Sequence, residues 1–252
     1  MKKIIVAEKV VKSFGADGQC RKVLDNVSLT VYEGQFISVM GPSGSGKSTL
    51  MFCLSGMDKI DSGRVIFDGK VLSDLKEKEF ADIRRNEMGF VFQQPTLLKN
   101  LNILDNIILS SMKDLNKNKE QIIKKAQKLM KKLGISELEK RDITQASGGQ
   151  LQRAGICRAL MNNPKIIFAD EPTGALNSKS AEEIMDIFDN INKEGTTIML
   201  VTHDAKVAAR TERILFIKDG KIVSELKLPK YEGKNMEERL EKVTDAMLEL
   251  GI

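Results

Sequence analysis

Eight residues restrict this chain more than any others. Gly41-Pro42-Ser43-Gly44-Ser45-Gly46-Lys47-Ser48 has the form G-x-x-x-x-G-K-S/T, with Thr49 following. An apolar run from Phe36 to Met40 leads in and a helix-compatible run to Leu54 leads out. Glycines allow main-chain N–H groups to close on polyphosphate oxygens, and a helix N-terminus adds positive field there. Lys47 is then placed to reach the β and γ phosphates, and the Ser48 hydroxyl to ligate Mg2+. A flexible glycine-rich surface turn is the competing reading; the strand before and helix after argue against it.

A phosphate loop also needs an acid on the metal side. Lys165-Ile166-Ile167-Phe168-Ala169-Asp170-Glu171 supplies one: four apolar residues predict a buried strand, so Asp170 emerges at its carboxyl end, where α/β sheets bind ligands. Asp170 is expected to hold Mg2+, and Glu171 to accept a proton from an attacking water or to orient it. Ser147-Gly148-Gly149-Gln150 precedes a helical Leu151-Gln152-Arg153-Ala154. It reads either as a helix cap with Ser147 at its start, or as a second anion site at a helix N-terminus.

The surrounding pattern is that of one α/β core. Strands are predicted at Val23-Leu24, Ser28–Val31, Gln35–Met40, Arg64–Phe67, Met88–Phe92, Ile166–Ala169, Thr197–Val201 and Ile214–Ile217. From about 95 to 163 the periodicity is helical, with Ile122, Ile123, Ala126, Leu129, Met130 and Leu133 on one face. The expected arrangement is a single domain over 1–252: a phosphate-loop core, an antiparallel β subdomain, and an inserted α-helical subdomain. The tail from about 234 to 250 reads as a charged helix with Met236, Leu240, Val243, Met247 and Leu250 at heptad spacing, expected to pack on the chain's own core.

Composition narrows the setting. The 252 residues are 41% hydrophobic and 30% charged, and no apolar run approaches the roughly 18–20 residues that span a bilayer. The opening Met1 to Glu8 is too short in apolar residues for a signal peptide, so a cytosolic location is expected. Cys20, Cys53 and Cys157 are scattered and are expected to be reduced, buried thiols. A formal charge of +5 is modest. Lys117, Lys119, Lys124, Lys125, Lys128, Lys131 and Lys132 read as a solvated helix face rather than a binding stripe.

With these motifs in hand, the chain resembles the ATP-binding-cassette family from about Ile4 to Ser224. Ala146-Ser147-Gly148-Gly149-Gln150 is similar to the family signature Leu-Ser-Gly-Gly-Gln. Gln93, after Gly89-Phe90-Val91-Phe92, matches the glutamine that touches Mg2+ and links to a membrane partner. His203, in Leu200-Val201-Thr202-His203-Asp204, matches the switch histidine that contacts the γ-phosphate, and it is the chain's one histidine. Phe14 matches the aromatic that stacks on adenine, with a core phenylalanine as the competing reading.

The resemblance implies a cassette ATPase fold, ATP and Mg2+ as cofactors, and a head-to-tail homodimer that sandwiches two ATP molecules. It also implies a separate transmembrane permease subunit, with the chain peripheral on the inner face of the membrane. Two positions depart from the family pattern: Ala146 replaces the signature leucine, and Asn177 stands where Asp is usual. Ala169–Leu176 is similar to the lipoprotein-release and macrolide-export branch. Asn177–Ser180 and Phe216–Gly220 are closer to bacitracin and lantibiotic resistance transporters, which implies antimicrobial peptide export or resistance. The alternative is a soluble cassette ATPase acting on nucleic acid or the ribosome. The roughly hundred residues between phosphate loop and signature leave no room for the long coiled coil of repair members, and direct nucleic-acid contact is not expected. A nucleotide kinase would not account for Ser147–Gln150 or His203. An importer subunit with a regulatory domain would need more than about thirty tail residues.

Overall fold

The computed structural model describes residues 1–15 and 20–252, with side chains for all of these except 113–118; Lys117 of the lysine-rich segment therefore lies outside the described side chains. Two sheets carry the architecture. The first is antiparallel, in the order β2-β1-β4-β5, formed by β1 (Lys3–Phe14), β2 (Arg21–Tyr32), β4 (Ser62–Phe67) and β5 (Lys70–Val71). The second has the order β10-β9-β3-β8-β7-β6. Its members are β3 (Phe36–Met40), β6 (Met88–Phe92), β7 (Ile166–Asp170), β8 (Thr197–Val201), β9 (Arg213–Lys218) and β10 (Lys221–Lys227). It is parallel except for β10, which returns antiparallel on β9.

Helices cover the sheets as crossovers require. α1 (Lys47–Leu54) follows β3, α2 (Glu77–Glu87) precedes β6, and α3 (Ile103–Ile108), α4 (Leu115–Lys132) and α5 (Gly148–Leu160) lie between β6 and β7. α6 (Ser178–Lys193) joins β7 to β8, the short α7 (Ala205–Ala208) joins β8 to β9, and α8 (Met236–Leu250) closes the chain. The central strands alternate their side chains between two cores. Ile37, Val39, Phe168, Met199 and Val201 face α1 and the antiparallel sheet, whereas Ile167, Ala169, Ile198 and Leu200 face α3 to α6. Each such fully buried Ile, Val or Phe contributes about 1.5–3 kcal/mol, and burial on both faces explains why these strands read as unbroken apolar runs.

Three expectations change. Lys3–Phe14 forms a strand that the sequence did not announce, because irregular register and Lys9 at φ 48° interrupt the alternation. Val23-Leu24 and Ser28–Val31 are parts of one strand, β2, bent where Asn26 takes φ 54°. Cys53 and Cys157 are buried, and burial pushes both thiols up to about 12, but Cys20 is exposed. On α4, the described Lys124, Lys128 and Lys131 face solvent. The tail helix α8 sets Met236, Leu240, Val243 and Met247 against Met40, Ala208, Ala209 and Phe216 of the chain's own core.

Candidate active site

The site is built where strands end. In the parallel sheet Phe92 pairs with Asp170, Asp170 with Val201, and Val201 with Val39, so β6, β7, β8 and β3 finish in one row. Loop 41–46 leaves β3 from that row and opens α1. Gly41 sits at φ 158°, and a Cβ there would lie 2.0 Å from the Ile217 carbonyl oxygen. Gly46 sits at φ 103°, with a Cβ placed 2.8 Å from the Val23 carbonyl oxygen. Only glycine fits at either position. Gly220 N–H donates to the Ser45 carbonyl at 3.1 Å and ties the loop to the β9–β10 turn.

Several groups at this loop lack partners of their own. Gly46 caps α1 without a side-chain hydrogen bond, and no acidic residue occupies the first turn, where Lys47, Ser48 and Thr49 lie. The first N–H groups of that helix are open to an anion. Ser45 Oγ is buried with no hydrogen-bond partner. The Lys47 ammonium folds back on its own loop, donating to the Gly41 and Pro42 carbonyls at 2.9 Å each. Burial holds its pKa below the usual lysine value, while Glu171 and Asp170 pull it back up. Gly44 has open space where a Cβ would stand, and Ser43 is exposed. This donor set fits a polyphosphate.

The acids sit beside it. Ser48 Oγ donates to Asp170 Oδ1 at 2.9 Å. Burial raises the Asp170 carboxyl, the Ser48 hydrogen bond opposes that rise, Glu171 adds to it and Lys47 lowers it. A hydroxyl and a carboxylate in contact suit a hard cation. No group of three or more His, Cys, Asp or Glu that could hold a metal occurs among the described residues. A cation here would thus draw most ligands from the polyphosphate and water, as Mg2+ commonly does.

Glu171 takes φ 47°, an uncommon left-handed backbone for a non-glycine residue, and its N–H donates to the Val201 carbonyl at 2.9 Å. Its Oε1 lies 2.8 Å from His203 Nδ1. With the carboxylate accepting, Nδ1 is the donor, which leaves Nε2 for a ligand. The His203 side chain is 71% exposed, against 17% for Glu171, so the imidazole can meet a ligand from the open side. Strain of this kind, fixed by neighbouring strands, concentrates at functional positions.

The remaining candidates surround this centre. Gln93 follows β6, and its amide nitrogen lies 2.9 Å from the position of a Cβ on Gly174; Gly174 lets it pass over the turn after Glu171. Gln152, which the sequence did not single out, is buried and donates to the Phe92 carbonyl at 2.9 Å, holding the strand end before Gln93. Its signal was a lone amide on an otherwise apolar helix face. Phe14 ends β1, is 47% exposed and carries the Lys12 ammonium 4.8 Å from its ring centre. It pairs with Arg21, two residues before Val23, which abuts Gly46.

Ser147 caps α5. Its oxygen accepts from Gln150 N–H at 3.3 Å, and Gln150 Oε1 accepts from Ser147 N–H at 2.8 Å, so the cap reading holds. Gly148 approaches Leu176, and Gly149 approaches Ser180 at the start of α6. No hydrogen bond links Ser147–Gln150 to loop 41–48 among the described residues. Asn177 caps α6, its side-chain oxygen accepting from Ser180 N–H at 2.9 Å. An amide serves there as well as a carboxylate.

A family model described as ABC transporter matches residues 24–174. The macrolide export ATP-binding/permease protein MacB of Pasteurella multocida is 41% identical over 226 residues, covering 88% of this chain and 34% of its own length; this chain thus spans about a third of that relative. The bacitracin export ATP-binding protein BceA of Halalkalibacterium halodurans is 41% identical over 226 residues, covering 88% of each. Among solved structures, a dimeric ATP-binding cassette in a post-hydrolysis state with ADP and Pi superposes with TM-score 0.83 and 39% identity, covering 90% of this chain and all of that one.

Proposed function

The chain belongs to the ABC transporter family and is an ATP-binding, ATP-hydrolysing subunit, and we propose that it works as half of a head-to-tail homodimer driving a separate permease. The observation that carries this reading is the row of strand ends where loop 41–48, Asp170, Glu171 and His203 meet. In the proposal, Gly41 to Thr49 bind the phosphates and Lys47 leaves its two loop carbonyls for them. Ser48, Asp170 and Gln93 would hold Mg2+, which when bound would neutralise charge developing on the transferred phosphoryl oxygens. Glu171 takes or orients the proton of the attacking water, and His203 contacts the γ-phosphate. Phe14 offers its exposed face to adenine.

Head-to-tail pairing is supported by the α5 N-terminus. Ser147 and Gln150 cap each other, which leaves the Gly148 and Gly149 N–H groups at the helix start open to an anion, with no link to the chain's own phosphate loop, so a second copy is assigned to complete each site. The permease is assigned to the open cleft, about 330 Å³, lined by Arg84, Arg85, Phe90, Phe92 and Arg158. That cleft includes residues of β6, the strand that Gln93 follows. No helix among the described residues is long and apolar enough to cross a membrane, and the chain is proposed to reach the inner face through the permease. Similarity to the bacitracin export protein supports antimicrobial peptide export or resistance as the process. No observation favours action on nucleic acid.

The test is Glu171→Gln. Loss of a positioned base costs about 10²–10⁴ in rate, so turnover should collapse while ATP binding persists and ATP drives a stable dimer on gel filtration. Turnover near the unaltered rate would remove Glu171 from its role.

A further inference from the structure

The C-terminal helix carries a buried charge. Arg239 is only 6% exposed, although its neighbours Glu237, Glu238, Glu241 and Lys242 stand on the charged face of α8. Burial pushes its pKa down, and every hydrogen bond it makes goes to a main-chain carbonyl. Nε donates to Ala209 at 2.6 Å, Nη2 to Thr211 at 2.9 Å and Nη1 to Pro229 at 2.6 Å. A leucine would pack this helix at lower desolvation cost. The guanidinium is suited instead to tying separate segments together, with its donors in a fixed planar fork.

Two of those carbonyls belong to the segment that begins at His203. Asp204 caps α7 through Lys206 N–H at 2.8 Å, and its own N–H donates to Thr202 Oγ1 at 3.0 Å. α7 then ends at Ala208; the next residue, Ala209, supplies one carbonyl that Arg239 grips, and the chain turns through Thr211. Thr211 Oγ1 donates to the Ala208 carbonyl at 2.8 Å and contacts Ser38 Oγ of β3 at 2.9 Å. Tyr231 lies between two cations, with Arg210 5.2 Å and Arg239 5.4 Å from its ring. Arg210 in turn reaches Asp186 of α6 at 2.6 Å. At the catalytic-side end Thr202 N–H donates to the Val39 carbonyl at 3.2 Å, while the His203 ring is mostly exposed and meets Glu171.

We infer that Arg239 is a positioning residue for ATP hydrolysis: it locks the far end of α7 and so fixes where His203 stands relative to Glu171 and the γ-phosphate. The inference rests on the proposed role of His203. It gives this one residue of α8 a role in hydrolysis, although α8 supplies none of the residues proposed to bind nucleotide. Misplacing a group by about 1 Å from a distance can cost up to about 100-fold in rate.

The experiment uses the full chain with ATP and Mg2+, measuring phosphate release for R239A, R239K, H203A and the double variant R239A/H203A. Expected is a fall in kcat of about 10- to 100-fold for R239A with KM for ATP changed by less than about two-fold, since loop 41–48 is untouched. R239K, which keeps the charge and part of the bonding, should recover part of the loss. In the H203A background, adding R239A should lower turnover no further, because residues acting as one unit are non-additive. M247A loosens the distal end of the same helix; at equal loss of thermal stability it should leave kcat within about two-fold. The inference is overturned if R239A keeps normal kcat, if its loss multiplies with that of H203A, or if M247A is equally impaired. Should R239A not fold, R239K and its double with H203A decide on the same criteria. Unaltered turnover in H203A alone would instead refute the role of His203.

Discussion

Replacing Asp189 by Asn should make this protein more stable, and more so above about pH 6 than in acid. Asp189 lies on α6 at 8% exposure, 3.3 Å from Arg210 Nε. Burial raises its carboxyl from 3.8 to about 6; Arg210, Lys193 and Arg239 pull the other way, and Asp186 adds to the rise. The folded chain therefore keeps a proton that the unfolded chain has released. Stability from this group falls as pH rises from about 4 to 6, and the full cost is present above that. At 1.36 kcal/mol per unit, the interval from 3.8 to about 6 amounts to about 3 kcal/mol. D189N keeps the shape without the charge, and Arg210 retains Asp186 at 2.6 Å. Urea unfolding of both proteins from pH 4.5 to 8 isolates the effect in their difference. Asp25, Asp68 and Glu225, whose basic partners hold them low, lose stability towards acid in both proteins alike. The gap should grow in favour of D189N by about 2 kcal/mol across that range. A gap that is flat, or that shrinks with rising pH, would refute the assignment of Asp189 as a buried acid with a raised pKa.

Three further outcomes follow from the site. Gly41→Ala drives a Cβ into the Ile217 carbonyl, so nucleotide binding should be lost and thermal unfolding should shift by at least the about 1–3 kcal/mol typical of overpacking. Glu171→Gly relieves φ 47°, worth about 1 kcal/mol against a similar entropy cost of glycine; hydrolysis should vanish while stability in denaturant stays equal or rises. At Ser147, Ala costs about 1 kcal/mol of helix capping but Gly only a few tenths. Equal loss of ATP-driven dimerisation in both, by light scattering, would show that the hydroxyl matters beyond capping; loss in Ala alone would reduce Ser147 to a cap.

The parts of this molecule that could be read in advance are those whose causes are local. Loop 41–48 is contiguous, and β3, β7 and β8 are apolar on both faces, so periodicity and motif agree. β1 escaped because its irregular register breaks the period of two that identifies a strand. α2 buries only Ile83 and β10 alternates between exposed and half-exposed positions, so neither leaves an apolar trace. Cys20 is exposed against the general tendency of thiols. The contact between Glu171 and His203 joins residues 32 apart, and no spacing rule anticipates it; resemblance to a family supplied the pair. Arg239 looked like one more charge on a solvated helix, because burial of a side chain among carbonyls is a property of the fold and not of its neighbours in sequence.

The row of strand ends has a mechanical consequence. Phosphate loop, Asp170, Glu171 and Thr202 are stitched to one another through β3, β7 and β8, where a slip of one residue would turn every buried side chain to the wrong face. That half of the machine is an anvil: it cannot yield by gradual bending. In the proposed head-to-tail pair, work from nucleotide turnover would be expressed as separation between rigid bodies, in how far a second copy's α5 stands from this face, and a stiffer sheet would lengthen the stroke rather than absorb it.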